Sequence, residues 1–135
     1  MLAQTFNSHE ELGISERLYQ ALVQVYWLLV DERIPEKLFD MDEVGHPEFD
    51  KKGNACGTAG CILGWCEALD KDCATPGGFI HDRFFGWGDF QPPLSQLFLP
   101  DHVRGAFGAK RKQAAVAIHG YLTTGKDGWK QAMKG

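Results

Sequence analysis

Between Ser15 and Arg33 apolar residues recur at helical spacing, and no other stretch restricts the fold as strongly. Leu18, Leu22, Val25 and Leu29 follow at steps of four, three and four, which lines them along one face of an α-helix. Tyr19, Tyr26 and Val30 widen that stripe, so the segment predicts a central core helix. Ser15 offers an N-cap hydroxyl, and Pro35 lies where the helix must have stopped.

Two further long helices are expected. Thr58 to Leu69 predicts one with Thr58 as N-cap, in which Gly60, Gly64 and Ala68 recur every four residues. A glycine inside a helix costs roughly 1 kcal/mol relative to alanine, and close approach of another backbone to this small-residue face would offset that. Ala109 to Thr123 predicts the third, with Ala114, Ala117, Ile118, Tyr121 and Leu122 inward, Lys110 to Gln113 wet, and Gly125 at its end. Asp127 is placed to cap a last turn holding Trp129 and Met133. Ser8-His9-Glu10-Glu11 has the form of a capping box, cut short at Gly13. Glu36 to Gly53 reads as a short helix followed by a loop. From Ala74 to Pro100 no period is sustained, although Phe79, Phe84, Phe85, Trp87, Phe90 and Phe98 crowd into it. The expected fold is mainly α, a compact single domain over residues 1–135. Its three longer helices, near 15–33, 58–69 and 109–123, surround an aromatic-rich irregular segment, and residues 1–14 form a flexible N-terminal segment.

Charge is divided unevenly along the chain. Residues 1–100 carry sixteen Asp/Glu against seven Lys/Arg, a balance of −9, and residues 101–135 carry seven Lys/Arg against two Asp/Glu, a balance of +5. The basic part includes Lys110-Arg111-Lys112, either a solvated face or a strip for an acidic partner or nucleic acid. One such triplet on a chain of net charge −4 is a weak nucleic-acid signal. The first twelve residues lack the basic-then-apolar pattern of a secretion signal, and no apolar run is long enough for a bilayer. A cytoplasmic protein with reduced thiols, away from membranes, is therefore expected.

Chemistry would centre on Asn54 to Cys66, which holds three of the four cysteines. With Thr58 as N-cap, Cys61 falls in the first helical turn, where the partial positive charge of the helix end favours a thiolate. His119 on the third helix or His81 in the aromatic segment could serve as its base. A buried, structural Cys61 explains the same residues. Zinc is disfavoured because Cys56, Cys61, Cys66 and Cys73 contain no Cys-x2-Cys pair, and on a helix Cys61 and Cys66 point about 140° apart. Gly57-Thr58-Ala59-Gly60 presents N–H groups at a helix start but lacks the endings of the phosphate-binding loops. Asp40 to Lys51 fails as a calcium loop, with Val44 and Lys51 at ligand positions. No metal and no cofactor are expected. Phe84, Phe85, Trp87 and Phe90 lie between glycines, as a core lid or as a presented binding loop.

Phe39-Asp40-Met41, then Cys56-Gly57-Thr58-Ala59-Gly60-Cys61-Ile62-Leu63-Gly64-Trp65, then Thr124-Gly125-Lys126 with Trp129 carry a resemblance. In these residues the chain resembles a group of small uncharacterised bacterial and prophage proteins with the core Cys-Gly-Thr-x-x-Cys-x-x-Gly followed by Trp or His. The resemblance carries no activity with it. It implies a phage or mobile-element setting, in which small proteins act by binding a host complex. The function expected is thus a non-enzymatic interaction protein that modulates a host protein or nucleoprotein complex, with a protein partner. Its binding residues would be the aromatic loop and Lys110, Arg111 and Lys112. The alternative is a hydrolase or transferase using Cys61 with His119 or His81. In the first reading Cys56, Gly57, Thr58, Gly60, Gly64 and Trp65 are a folding signature.

Overall fold

The structure, a computed structural model, describes residues 6–42, 45–70, 73, 94–98, 100 and 102–134. Most of the aromatic segment, with His81, Phe84, Phe85, Trp87 and Phe90, lies outside the described residues. The rest is mainly α. In chain order the elements are α1 (His9–Leu12), α2 (Glu16–Val30), β1 (Pro47–Phe49), β2 (Ala55–Gly57), α3 (Ile62–Leu69), α4 (Leu94–Phe98), α5 (Arg111–Thr124) and α6 (Trp129–Ala132), with single 3-10 turns at Glu36–Leu38 and Ala106–Gly108.

Where boundaries depend on local chemistry, sequence and structure agree. Ser8 and Glu11 cap α1 reciprocally, and Gly13 ends it in the left-handed conformation. Ser15 Oγ accepts the Leu18 N–H at 3.2 Å, and α2 buries Leu18, Ala21, Leu22, Val25 and Leu29. The helix stops at Val30 rather than at Arg33. Glu32 takes φ +57°, which lets Arg33 N–H donate to Leu28 O at 2.8 Å and Glu32 N–H to Leu29 O at 3.2 Å. This is a Schellman closure with Glu in the place glycine usually takes. Gly125 ends α5 at φ +81°, and Asp127 Oδ2 accepts the Trp129 N–H that opens α6.

The second long helix is shorter than its pattern suggests. It begins at Ile62, not Thr58, because residues 55–57 are taken by a hairpin. β1 and β2 are antiparallel, with Pro47 opposite Gly57, Glu48 opposite Cys56 and Phe49 opposite Ala55. Asp50 Oδ1 closes the connecting turn by accepting the N–H groups of Lys52 and Asn54, both at 2.9 Å. Gly60 forms a parallel bridge with Phe39, its N–H donating to Leu38 O and its carbonyl accepting the Asp40 N–H. Backbone pairing across the chain thus overrides the local helical preference of residues 58–61.

One hydrophobic core unites α2, α3, α5 and the short elements. Trp65 and Trp129 are fully buried in it. Each indole N–H reaches a carbonyl from another element, Trp65 to Leu38 O at 3.0 Å and Trp129 to Leu97 O at 2.9 Å, so neither ring buries an unpaired donor. A close backbone approach lies between Gly120 of α5 and Gly128 before α6. A Cβ on Gly120 would stand 2.8 Å from the Gly128 Cα. No described helix is long and apolar enough to cross a membrane.

Candidate functional site

Cys61 stands at the N-cap of α3, with extended backbone (φ −84°, ψ −174°), and is buried. The N–H groups of Gly64 and Leu63 favour its thiolate, as expected near a helix start. Burial outweighs them and pushes the thiol from 9.0 up to about 11. Burial, with Cys73 and Cys61 nearby, pushes Cys66 up as well. Loss of hydration costs the anion more than the helix end returns, which supports the buried, structural reading of Cys61 over the thiolate. His119 lies elsewhere. Its ring packs against Phe6 and Tyr26, with centroids 5.9 and 5.8 Å away, and it lines a cleft between α2 and α5. No imidazole is among the groups acting on the Cys61 sulfur, and His81 lies outside the described residues. None of the four cysteines is in a disulfide, and among the described residues no three His, Cys, Asp or Glu gather as a metal site.

A pH dependence follows from the buried thiols. The folded state keeps the Cys61 proton that an unfolded chain releases above pH 9, so stability is complete below about pH 9 and falls as pH rises toward 11. Each such group removes roughly 1.4 kcal/mol per pH unit within its window. Burial of Tyr121, pushed from 10.0 up to about 12, extends the loss upward. Urea midpoints measured from neutral pH into this range should be flat and then decline. Iodoacetamide at about pH 8 should modify Cys61 on the order of a hundredfold more slowly in the folded than in the unfolded chain, from ionisation alone. Rapid alkylation of Cys61 itself in the folded protein would contradict this placement, whereas the half-buried Cys56 can react.

The other residues of the motif have structural tasks. Cys56 faces Glu48 across the hairpin. Gly57 has φ +84°, and a Cβ there would come within 2.5 Å of His46 O. Thr58 does not cap a helix; its Oγ1 accepts the His46 N–H at 2.8 Å while its own N–H donates to His46 O at 3.2 Å. The N–H groups of Thr58 and Gly60 are thus both committed to carbonyls and are not available to hold a phosphate. Gly64 and Ala68 border a cleft of about 540 Å³ with residues 45–49, so β1 approaches this face of α3 without filling it. Gly60 lies outside the helix altogether. Trp65 packs edge-on to Phe49 at 5.3 Å.

The described surface offers two adjoining clefts along α5. The first, about 660 Å³, lies between α2 and α5 and has Tyr26, Leu29, Val30, Ala115, Val116 and His119 among its lining. The second, about 670 Å³, lies between α5 and α6 and is edged by Lys110, Lys112 and Lys134. Lys112 and Val116 belong to both. The basic triplet is therefore not a uniform strip. Arg111 turns back onto the end of α2, where Nε donates to Glu36 Oε1 at 3.1 Å and NH1 to Ile34 O at 2.9 Å. Lys110 and Lys112 remain exposed.

No family model, curated protein or solved structure matches this chain. The clefts must therefore be read from their own chemistry. Val116 and Lys134 escaped the sequence reading because each lies off a core stripe, and Val30, expected to widen the inward stripe of α2, is exposed instead. A signal was present in the fact that Val116 follows Lys112 by four residues, on a face otherwise wet.

Proposed function

We propose that the protein is a non-enzymatic protein-binding factor that engages its partner along α5. What supports this reading is the exposure of Val30 and Val116, 44% and 41%, on the α2–α5 cleft. Isolated exposed valines need no explanation, but two on one cleft make an apolar site open to a partner's side chain. The thiol chemistry considered from sequence has weaker support, since Cys61 is buried and keeps its proton. The motif resemblance adds a phage or prophage setting and a host protein or nucleoprotein complex as the target. Phe84, Phe85, Trp87 and Phe90 are a second candidate contact of the same factor.

The reading is tested by crosslinking in bacterial cells with tagged wild type, Val116→Glu, Trp87→Ala and Cys61→Ala chains, each confirmed to fold by circular dichroism. Wild type and Cys61→Ala should capture the same discrete partner, and Val116→Glu should lose it by at least about tenfold, the equivalent of 1.4 kcal/mol. Loss with Trp87→Ala alone would move the contact to the aromatic loop. A covalent product that vanishes with Cys61→Ala would replace the binding reading by catalysis.

A further inference from the structure

We infer that the α5–α6 cleft docks an acidic peptide segment of another protein, one whose carboxylates flank an apolar anchor. The inference rests on the protein-binding reading above and supplies the chemistry of the partner. Lys110 and Lys112, at the start of α5, and Lys134, just beyond α6, edge this one cleft, and all three are exposed. No Asp or Glu lines it, and no acid among the described residues forms an ion pair with any of the three. The other described lysines form no ion pair either, so what sets these three apart is that they share one concavity. The fold has instead spent its local acids on Arg111, through Glu36 and, at 4.0 Å, Glu32. Three uncompensated ammonium groups around one concavity create a field that an incoming carboxylate would relieve.

The floor selects the rest of the partner. Val116 and Ala132 give it apolar surface, and Gln131 sets a side-chain amide beside it, suited to a backbone or a carboxamide, while Gln113 Oε1 accepts the Lys110 N–H at 2.8 Å. Val116 is exposed in the midst of the lysines, so covering it with a leucine-like anchor removes apolar area from water while the carboxylates meet the rim. A nucleic acid fits less well. Base stacking needs an aromatic platform, and no aromatic residue lines this cleft. The arginine next to it, the side chain best shaped for a phosphate, already holds Glu36 and the Ile34 carbonyl.

The test is a selection of displayed short random peptides against the full chain, repeated with a Lys112→Glu/Lys134→Glu double variant. Both positions are exposed, so the variant should fold, which circular dichroism checks. Enriched sequences should carry Asp and Glu around Leu, Ile or Phe. They should bind the double variant at least about tenfold more weakly, and their binding to wild type should weaken with added salt. Val116→Ser should lower affinity while leaving the salt dependence in place. The inference is overturned by selected peptides without an acidic excess, or by equal affinity for the double variant. It is also overturned if single-stranded oligodeoxynucleotide binds these lysines more tightly than any selected peptide. Sedimentation showing a dimer that the double variant dissolves would assign the cleft to a second copy instead. A cellular partner captured by wild type and retained by the double variant defeats the cleft assignment and leaves the protein-binding reading standing. Absence of any captured partner defeats that reading itself.

Discussion

Trp129→Ala should cost about 3–5 kcal/mol of stability, the range for removing a buried tryptophan. Such a loss is a large part of the 5–15 kcal/mol that typically separates folded from unfolded domains. Trp129 is fully buried, and its indole N–H is the hydrogen-bond partner of Leu97 O at 2.9 Å. Truncation therefore opens a cavity and strands a carbonyl that water reaches poorly. It also loosens α6, since the four residues of that helix are too few to hold a helical turn without their anchor. Trp129→Phe separates the two effects, keeping most of the volume and losing the bond, at about 1–3 kcal/mol. Trp27→Ala is the control, because that ring is 44% exposed. Urea denaturation decides the matter: similar midpoints for the Trp129 and Trp27 variants would sink the assignment of Trp129 as an anchor.

Gly120→Leu should be comparably harmful for the opposite reason, too much volume. A Cβ on Gly120 would meet the Gly128 Cα at 2.8 Å and its nitrogen at 3.3 Å, and one on Gly128 would meet Val116 O at 2.9 Å. These neighbours are backbone and cannot rotate away. Gly128 N–H also donates to Ala117 O at 3.1 Å, so separating the segments breaks a bond as well as a contact. Overpacking of this kind costs about 1–3 kcal/mol and sometimes more. Gly120→Ala sets that clash against a gain in helix propensity of roughly 1 kcal/mol, and the rigid neighbour should make the net effect destabilising. Gly108, where an added Cβ would meet nothing within 4 Å, is the control. Thermal melts should separate the two positions by several degrees, and equal melts would show that the Gly120–Gly128 approach is not close in solution.

The glycine case shows how far the residues can be read alone. Spacing in residues 58–69 marked Gly60, where a Cβ on Gly45 would stand 1.9 Å from Ala59 O and 3.4 Å from the Gly60 Cα, whereas the sequence pattern offers no repeat for the approach at Gly120. The caps at Ser8 and Ser15, the left-handed Gly13 and Gly125 and the stripes of α2 and α5 were legible because each depends on neighbours a few residues away. The hairpin was not, since three-residue strands leave no alternation to detect and their partners are brought together by the fold. Cys61 shows the same limit in its chemistry. Its place near a helix start could be guessed from Thr58 and Gly60, but the burial that raises its pKa comes from the packed core. The candidate site was half visible. Lys110 and Lys112 stood out as a cluster, while Lys134 and Ala132 join them only because α6 folds back along α5.

The hairpin bears on solubility as well. An exposed strand edge invites pairing with another chain, and proteins guard against it with short strands, proline and lysine. Here β1 is three residues long and begins with Pro47, which has no N–H to offer, and exposed Lys51 and Lys52 stand in the turn that follows. The only sheet among the described residues is thus a poor template for amyloid-like growth. A chain that leaves valines open on a helical face can hold them in solution without also presenting a sticky β-edge.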